Sequence, residues 1–153
     1  KYGRATVKAF GVTSRFVHLE FFRLTVDKPG LGSIGDFVGL ETNMRPAGGF
    51  TPDMMDHAHA TDVYKIWADM VAFDARTLPY MPEDDHFCVY YGRRDGRAYA
   101  HGHDEVMAKY GPRMAMQGRI PDVLSDDLGN IMYMVHAYSL KEVEEFEAWM
   151  GKL

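Results

Sequence analysis

The chain has 153 residues, of which 46% are hydrophobic and 25% are charged, so we predict a single globular domain over residues 1–153. Its net charge of −5 argues against a nucleic-acid partner, which would require a basic face. No stretch approaches the roughly 20 apolar residues of a membrane span, and a single cysteine, Cys88, cannot form an intrachain disulfide. We therefore expect a cytoplasmic protein without a membrane partner.

The first two predicted elements are strands at 5–12 and 16–26, joined by a turn. In the second strand apolar and polar residues alternate, which is typical of a half-buried strand. His18 and Glu20 project from the same face of it, because side chains repeat every two residues along a strand. A ligand pair and a simple polar face both account for this arrangement.

Residues 27–60 are the least regular part of the sequence, because glycines and prolines recur throughout them. Long irregular connections are uncommon in compact domains, and many of them are lids or binding loops. We expect an irregular insertion here that covers a ligand or contacts a partner. A short strand or helical turn at 36–40 is compatible with this prediction.

A helix is predicted after Thr61, which can cap it, because apolar residues at 63–71 recur at helical spacing. A hairpin is expected next, formed by strands at 87–92 and 97–101 around a tight turn.

The last third of the chain is predicted to contain two helices and a second hairpin. The first helix runs through residues 104–110, and the hairpin strands lie at 119–124 and 130–138. Ser139 and Glu142 have the spacing of a capping box, in which the two side chains bond to free backbone amides at the start of a helix.

The order of elements from residue 87 onward predicts an α+β fold with a ferredoxin-like antiparallel sheet and helices on one face. Its later part comprises Met116-Gln117-Gly118-Arg119-Ile120, a turn at 126–130, an apolar strand and a Ser-capped acidic helix ending near residue 149. This pattern resembles the second half of dimeric α+β barrel proteins, which include the muconolactone isomerase and YCII-related groups. The resemblance implies a homodimer or higher homo-oligomer that associates through its sheets and binds a small organic ligand on the open sheet face. It carries over no catalytic residue, because the histidine typical of YCII-related proteins has no equivalent here.

Two His-x-His elements are the most notable candidates for chemistry. They contain His57 and His59, and His101 and His103, the latter followed by Glu105. In extended backbone such spacing aims both rings the same way, and histidine with carboxylate suits zinc, iron or manganese. We predict these five residues as ligands of a transition metal. Unliganded loop histidines and metal-free catalysis by one of them are the alternatives.

His136 lies in the apolar strand 130–138, on the face that also holds Met132, Met134 and Tyr138. If this face lines a cavity, His136 is an acid–base or substrate-orienting group, and otherwise it is a satisfied core histidine. His101 and His103 are the other two predicted catalytic residues. The 11 methionines favour a pliable pocket for an organic molecule, although they also suit a methionine-rich core.

Together these features predict an enzyme acting on a small apolar or aromatic organic substrate, of the isomerase, lyase or oxygenase type. The pocket would be lined by methionine and aromatic side chains and would carry histidines as acid–base groups or metal ligands. The alternative is a non-catalytic accessory subunit or ligand-binding module of a larger complex.

Overall fold

A computed structural model describes residues 1–79 and 85–153 of the chain. These residues form a mixed α and β structure whose sheets are antiparallel, which confirms the predicted α+β class. The contacts between residues divide the chain into two compact units. The first comprises Lys1–Pro52 and Val63–Leu78, and the second comprises Asp53–Asp62 and Pro79–Leu153. The prediction of one domain over 1–153 stays a prediction.

The first unit contains a two-stranded sheet. Strand β1 (His18–Arg23) pairs with strand β2 (Phe37–Asn43), and the register shifts between Glu20 and Phe21. As predicted, His18 and Glu20 lie on the same face, where the His18 Nε2 and Glu20 Oε1 atoms are 3.1 Å apart.

Helix α1 (Tyr2–Ala9) stands where the sequence predicted a strand at 5–12, so that prediction is wrong. Local sequence preference is a weak guide to secondary structure, and packing overrides it. The Tyr2 ring stacks on Phe37 of β2 at a centroid distance of 4.9 Å, and the Thr6 hydroxyl donates to the Tyr2 carbonyl one turn earlier.

The segment 27–60 is more regular than predicted, because it contains β2 and helix α2 (Thr51–His59). Pro52 and Asp53 suit the first turn of α2, where a proline loses no hydrogen bond and an acid meets the positive end of the helix dipole. Helix α3 (Val63–Phe73) follows and confirms the helix predicted after Thr61.

The second unit contains a three-stranded sheet. Its strands are β3 (Phe87–Arg93), β4 (Met114–Arg119) and β5 (Ile131–Ala137), in the spatial order β3-β5-β4. Because β5 is antiparallel to both neighbours, β3 and β4 run parallel to each other. Their connection contains helix α4 (His103–Tyr110), which confirms the helix predicted there.

Two details of the predicted hairpins are wrong. Residues 97–101 form no strand, and β3 pairs with β5 instead, because a central strand offers hydrogen bonds along its whole length. The first strand predicted for the second hairpin, 119–124, is also wrong, because β4 overlaps it only at Arg119 and residues 122–128 form helix α5 (Asp122–Leu128). The predicted second strand, 130–138, corresponds to β5, which pairs with β4. Pro121 ends the extended run, and Asp122 favours a helix start.

The last helix, α6 (Leu140–Met150), begins as predicted at Ser139, whose hydroxyl accepts from the Glu142 amide. The reciprocal half of the capping box differs, because Glu142 Oε2 accepts from the Tyr138 amide at 2.8 Å. Within residues 1–79 and 85–153, none of the helices is long and apolar enough to cross a bilayer.

The main core lies on one face of the three-stranded sheet. Alternate residues of β5 point to this face, and Tyr133, Val135 and Ala137 are each 1% exposed. They pack with residues of α4 and α6, including Val106 and Phe146. The other β5 residues, Met132, Met134 and His136, therefore point to the opposite face.

Candidate active site

His136 meets a second histidine on that opposite sheet face. The His86 Nε2 and His136 Nδ1 atoms are 2.6 Å apart, which is a short hydrogen bond between two rings separated by 50 residues in the chain. One ring donates and the other accepts, so at least one of the two bonded nitrogens carries no proton. The pair therefore shares a proton and has the geometry of an acid–base couple.

A third histidine, His57 of α2, approaches the same pair. Its ring meets His136 edge to face at a centroid distance of 5.4 Å. The C-terminal end of α2 is held there by two contacts: the His86 amide donates to the Ala58 carbonyl at 2.9 Å, and His59 Nδ1 lies 2.8 Å from Asp85 Oδ1. We call His57, His86 and His136 the histidine cluster.

The surroundings lower the pKa of His136. Burial is the largest cause, because it disfavours the charged ring, and the nearby rings of His86 and His57 act in the same direction. His136 is therefore neutral at physiological pH, which is the state that a general base requires.

Cys88 stands opposite His136 in the register of β3 and β5. Burial raises the pKa of its thiol to about 11, so the sulfur stays protonated at neutral pH. Because only the thiolate is a strong nucleophile, Cys88 is no candidate for covalent catalysis.

The other two predicted catalytic residues lie elsewhere in the second unit. The His101 ring stacks on Trp149 of α6, with a centroid distance of 3.9 Å and an angle of 2° between planes. His103 Nδ1 lies 2.9 Å from the Tyr133 hydroxyl, and Tyr133 points to the core face of β5. His101 and His103 thus contact residues that pack on the core face of the sheet, whereas His136 lies on the opposite face.

The five predicted metal ligands are not brought together. His57 and His59 lie on a helix, where residues two apart point in nearly opposite directions, so one faces His136 and the other Asp85. Glu105 accepts a hydrogen bond from the Gly102 amide, and its Oε1 lies 3.7 Å from His101 Nδ1. In the described part of the chain, no three His, Cys, Asp or Glu side chains are arranged to hold a metal ion.

His86 is the functional candidate that the sequence did not indicate. It precedes β3 next to an acid, a position typical of an exposed polar residue, and no local pattern links it to residue 136. The antiparallel pairing of β3 with β5 makes the contact, since it sets Cys88 beside His136 and carries His86 to the same end of the sheet.

Comparison of the chain with protein-family models, curated proteins and solved structures finds no match.

Proposed function

We propose that this protein is an enzyme that transfers protons on a small apolar or aromatic organic substrate, with His136 as its general acid–base. The observation that carries the proposal is the 2.6 Å hydrogen bond between His86 and His136. Isomerisation and elimination are the reaction classes that such a pair serves best, because both require a proton to leave one substrate atom and be returned to another atom or to solvent.

The roles within the histidine cluster follow from its bonding. His136 takes a proton from a carbon next to a carbonyl group, and His86 orients the ring and accepts part of the new charge through the shared hydrogen bond. His57, edge-on to His136, disfavours protonation of the resting enzyme. A titratable group whose pKa is shifted by burial and by a specific neighbour, as that of His136 is, is typical of acid–base sites.

Three side chains on or beside the His136 face of β5 support an apolar or aromatic substrate. Tyr138 is 66% exposed, and its ring lies 5.2 Å from the His86 ring, so it offers an aromatic surface beside the pair. Met132 and Met134 share the His136 face of β5 and are buried there, which makes that face apolar.

The proposal extends to the fold. The order β3-β5-β4, with a helix between the two parallel outer strands, supports a ferredoxin-like sheet of the dimeric α+β barrel type. We accordingly propose a homodimer or higher homo-oligomer with the histidine cluster on the sheet face that this type uses for ligands.

The test is deuterium exchange into a panel of small aromatic and aliphatic ketones and lactones, followed by proton NMR in D2O. The wild-type protein should incorporate deuterium next to the carbonyl of at least one compound. His136→Gln should slow that exchange by about 10²- to 10⁴-fold, which is the usual contribution of a general base.

His18→Gln is the matched control, because it removes an imidazole from the first unit and leaves the histidine cluster intact. Equal exchange rates in wild type and His136→Gln, or no exchange by the wild type with any compound, would count against the proposal.

The second candidate is a non-catalytic accessory subunit, and the surface of the first unit favours it. That unit exposes several large apolar side chains, namely Phe10, Phe22, Val26, Leu31, Ile34 and Leu40. Exposed apolar residues mark a protein–protein interaction site where they form one contiguous patch. Light scattering separates the candidates, because an isolated accessory subunit should self-associate without fixed stoichiometry, whereas the proposed enzyme should form one discrete oligomer.

A further inference from the structure

A cleft of about 390 Å³ lies in the second unit, between the end of β3, the loop that follows it and β5. Its volume is in the range of small-molecule pockets. Tyr133 belongs to the core face of β5, whereas His136 belongs to the opposite face, so the cleft is separate from the histidine cluster.

The cleft is strongly positive. Three arginines line it, Arg93, Arg94 and Arg97, against a single carboxylate, Asp95. Asp95 is already neutralised by Arg119, whose two terminal nitrogens bond to its oxygens at 3.0 and 2.7 Å. The whole protein has a net charge of −5, so the positive charge of this cleft is opposite in sign to that of the protein.

Neither Arg93 nor Arg94 is neutralised by an acid within residues 1–79 and 85–153. Arg93 is 5% exposed, and its guanidinium donates to the Met150 and His101 carbonyls. Arg94 donates to the backbone carbonyls of Ser125 and Asp126. Backbone carbonyls satisfy the donors and hold both groups in place, but they do not cancel the charge. Arg93 and Arg94 are therefore positive charges fixed in position, and a cleft concentrates the electrostatic field of such charges.

Arg97 differs from the other two because its side chain forms neither a hydrogen bond nor an ion pair with any described residue. It is exposed and sits at the rim of the cleft. Its guanidinium is available to a ligand in a cleft that Arg93 and Arg94 also line.

We infer that this cleft binds the carboxylate of a small organic acid. One available guanidinium fork matches the two oxygens of a carboxylate, which is planar like the fork. The remaining lining includes Tyr99, Ile131 and Tyr133, which suit a hydrocarbon or aromatic skeleton. His103, bonded to the Tyr133 hydroxyl, adds a polar group at the same wall. The inference does not rest on the proposed chemistry of the histidine cluster.

Benzoate is the probe, and benzamide is its neutral counterpart of the same shape. Calorimetric titration of the full chain should detect benzoate at millimolar concentrations and not benzamide. In the amide spectrum, benzoate should shift the signals of Gly96 and Gly102, which line the cleft.

Arg97→Gln should weaken benzoate binding by about tenfold, the usual effect of losing a hydrogen bond to a charged group. Because Arg97 makes no bond within the described chain, this variant should fold normally. Arg4→Gln makes the same charge change at an exposed residue that does not line the cleft, and it should leave the affinity unchanged.

Three outcomes would overturn the inference. Equal affinity for benzoate and benzamide would show that the charge of the ligand does not matter. An equal loss of benzoate affinity in Arg4→Gln and Arg97→Gln would show that only the net charge of the protein matters. Inorganic phosphate binding more tightly than benzoate, with the same amide shifts, would assign the cleft to phosphate instead of a carboxylate. Activity of the histidine cluster is measured separately by deuterium exchange, so failure of one proposal leaves the other standing.

Discussion

His136 shows how much the partner of a histidine matters. A core histidine on an apolar strand whose only partner is a backbone group would have a structural role and no catalytic one. Here the partner is another imidazole, and a third ring stands edge-on to the pair. Burial lowers the pKa of His136, so the neutral ring that forms this bond is the favoured form.

The first prediction concerns the pH dependence of stability. Because the pKa of His136 is lowered in the folded chain, the unfolded chain holds this proton more tightly. As pH falls below the ordinary histidine pKa of about 6.5, the unfolded state gains a proton that the folded state does not. The free energy of unfolding should therefore fall with decreasing pH in this window, and His136→Gln should reduce the slope.

Urea unfolding of both proteins between pH 8 and pH 5 provides the measurement. At pH 8 histidines are largely neutral, so the difference there gives the cost of the substitution without any titration. Identical slopes for wild type and His136→Gln would show that this ring does not titrate differently in the two states.

At the scale of elements, the packing of α5 against the sheet depends on a glycine. A Cβ built on Gly92 of β3 would lie 2.0 Å from the Leu128 carbonyl oxygen at the end of α5. The Tyr90 hydroxyl bonds to the same oxygen at 2.6 Å, which keeps that backbone in place. Gly118 of β4 pairs with the same β5 residue, Met132, but has open space around its Cβ position.

We expect Gly92→Ala to lower the free energy of unfolding by at least about 2 kcal/mol, because a backbone atom cannot move aside as a flexible side chain can. Gly118→Ala is the matched control and should change stability by no more than about 1 kcal/mol. Thermal and urea unfolding measure both. A Gly92→Ala protein as stable as Gly118→Ala would mean that α5 shifts without cost.

At the scale of the whole molecule, burial is unevenly distributed between the two sheets. In β5, residues 132–135 and 137 are all buried, and the strand is hydrogen-bonded on both sides. In β1 and β2 no residue is buried, and the sheet has two strands. Two-stranded sheets with little buried surface have low intrinsic stability.

Hydrogen exchange should therefore differ between the sheets. We expect hydrogen-bonded amides of β5 to exchange at least about tenfold more slowly than those of β1, after correction for intrinsic rates, because opening β5 exposes the core. NMR-detected exchange under native conditions measures this ratio. Equal protection in both strands would mean that the described chain opens as one cooperative body.

Local patterns were sufficient for several elements. Helical spacing of apolar residues located α3, alternation located β1, and the spacing of Ser139 and Glu142 marked the start of α6. These features depend on neighbours within a few residues, which the sequence displays directly. Helix α1 was predicted as a strand, because its contact with Phe37 of β2 lies far along the chain and no local pattern displays it.

The candidate sites could be predicted only in part, because they depend on contacts between distant residues. The sequence by itself determined the α+β class, the positions of α3, α4 and α6, and His136 as a candidate in an apolar strand. The tertiary structure alone decided that His86 bonds to His136, since strand pairing joins residues 50 apart. It also placed His57 and His59 on a helix, where their side chains point in nearly opposite directions. Side-chain direction and long-range pairing are properties of the folded chain, which is why spacing alone could not give them.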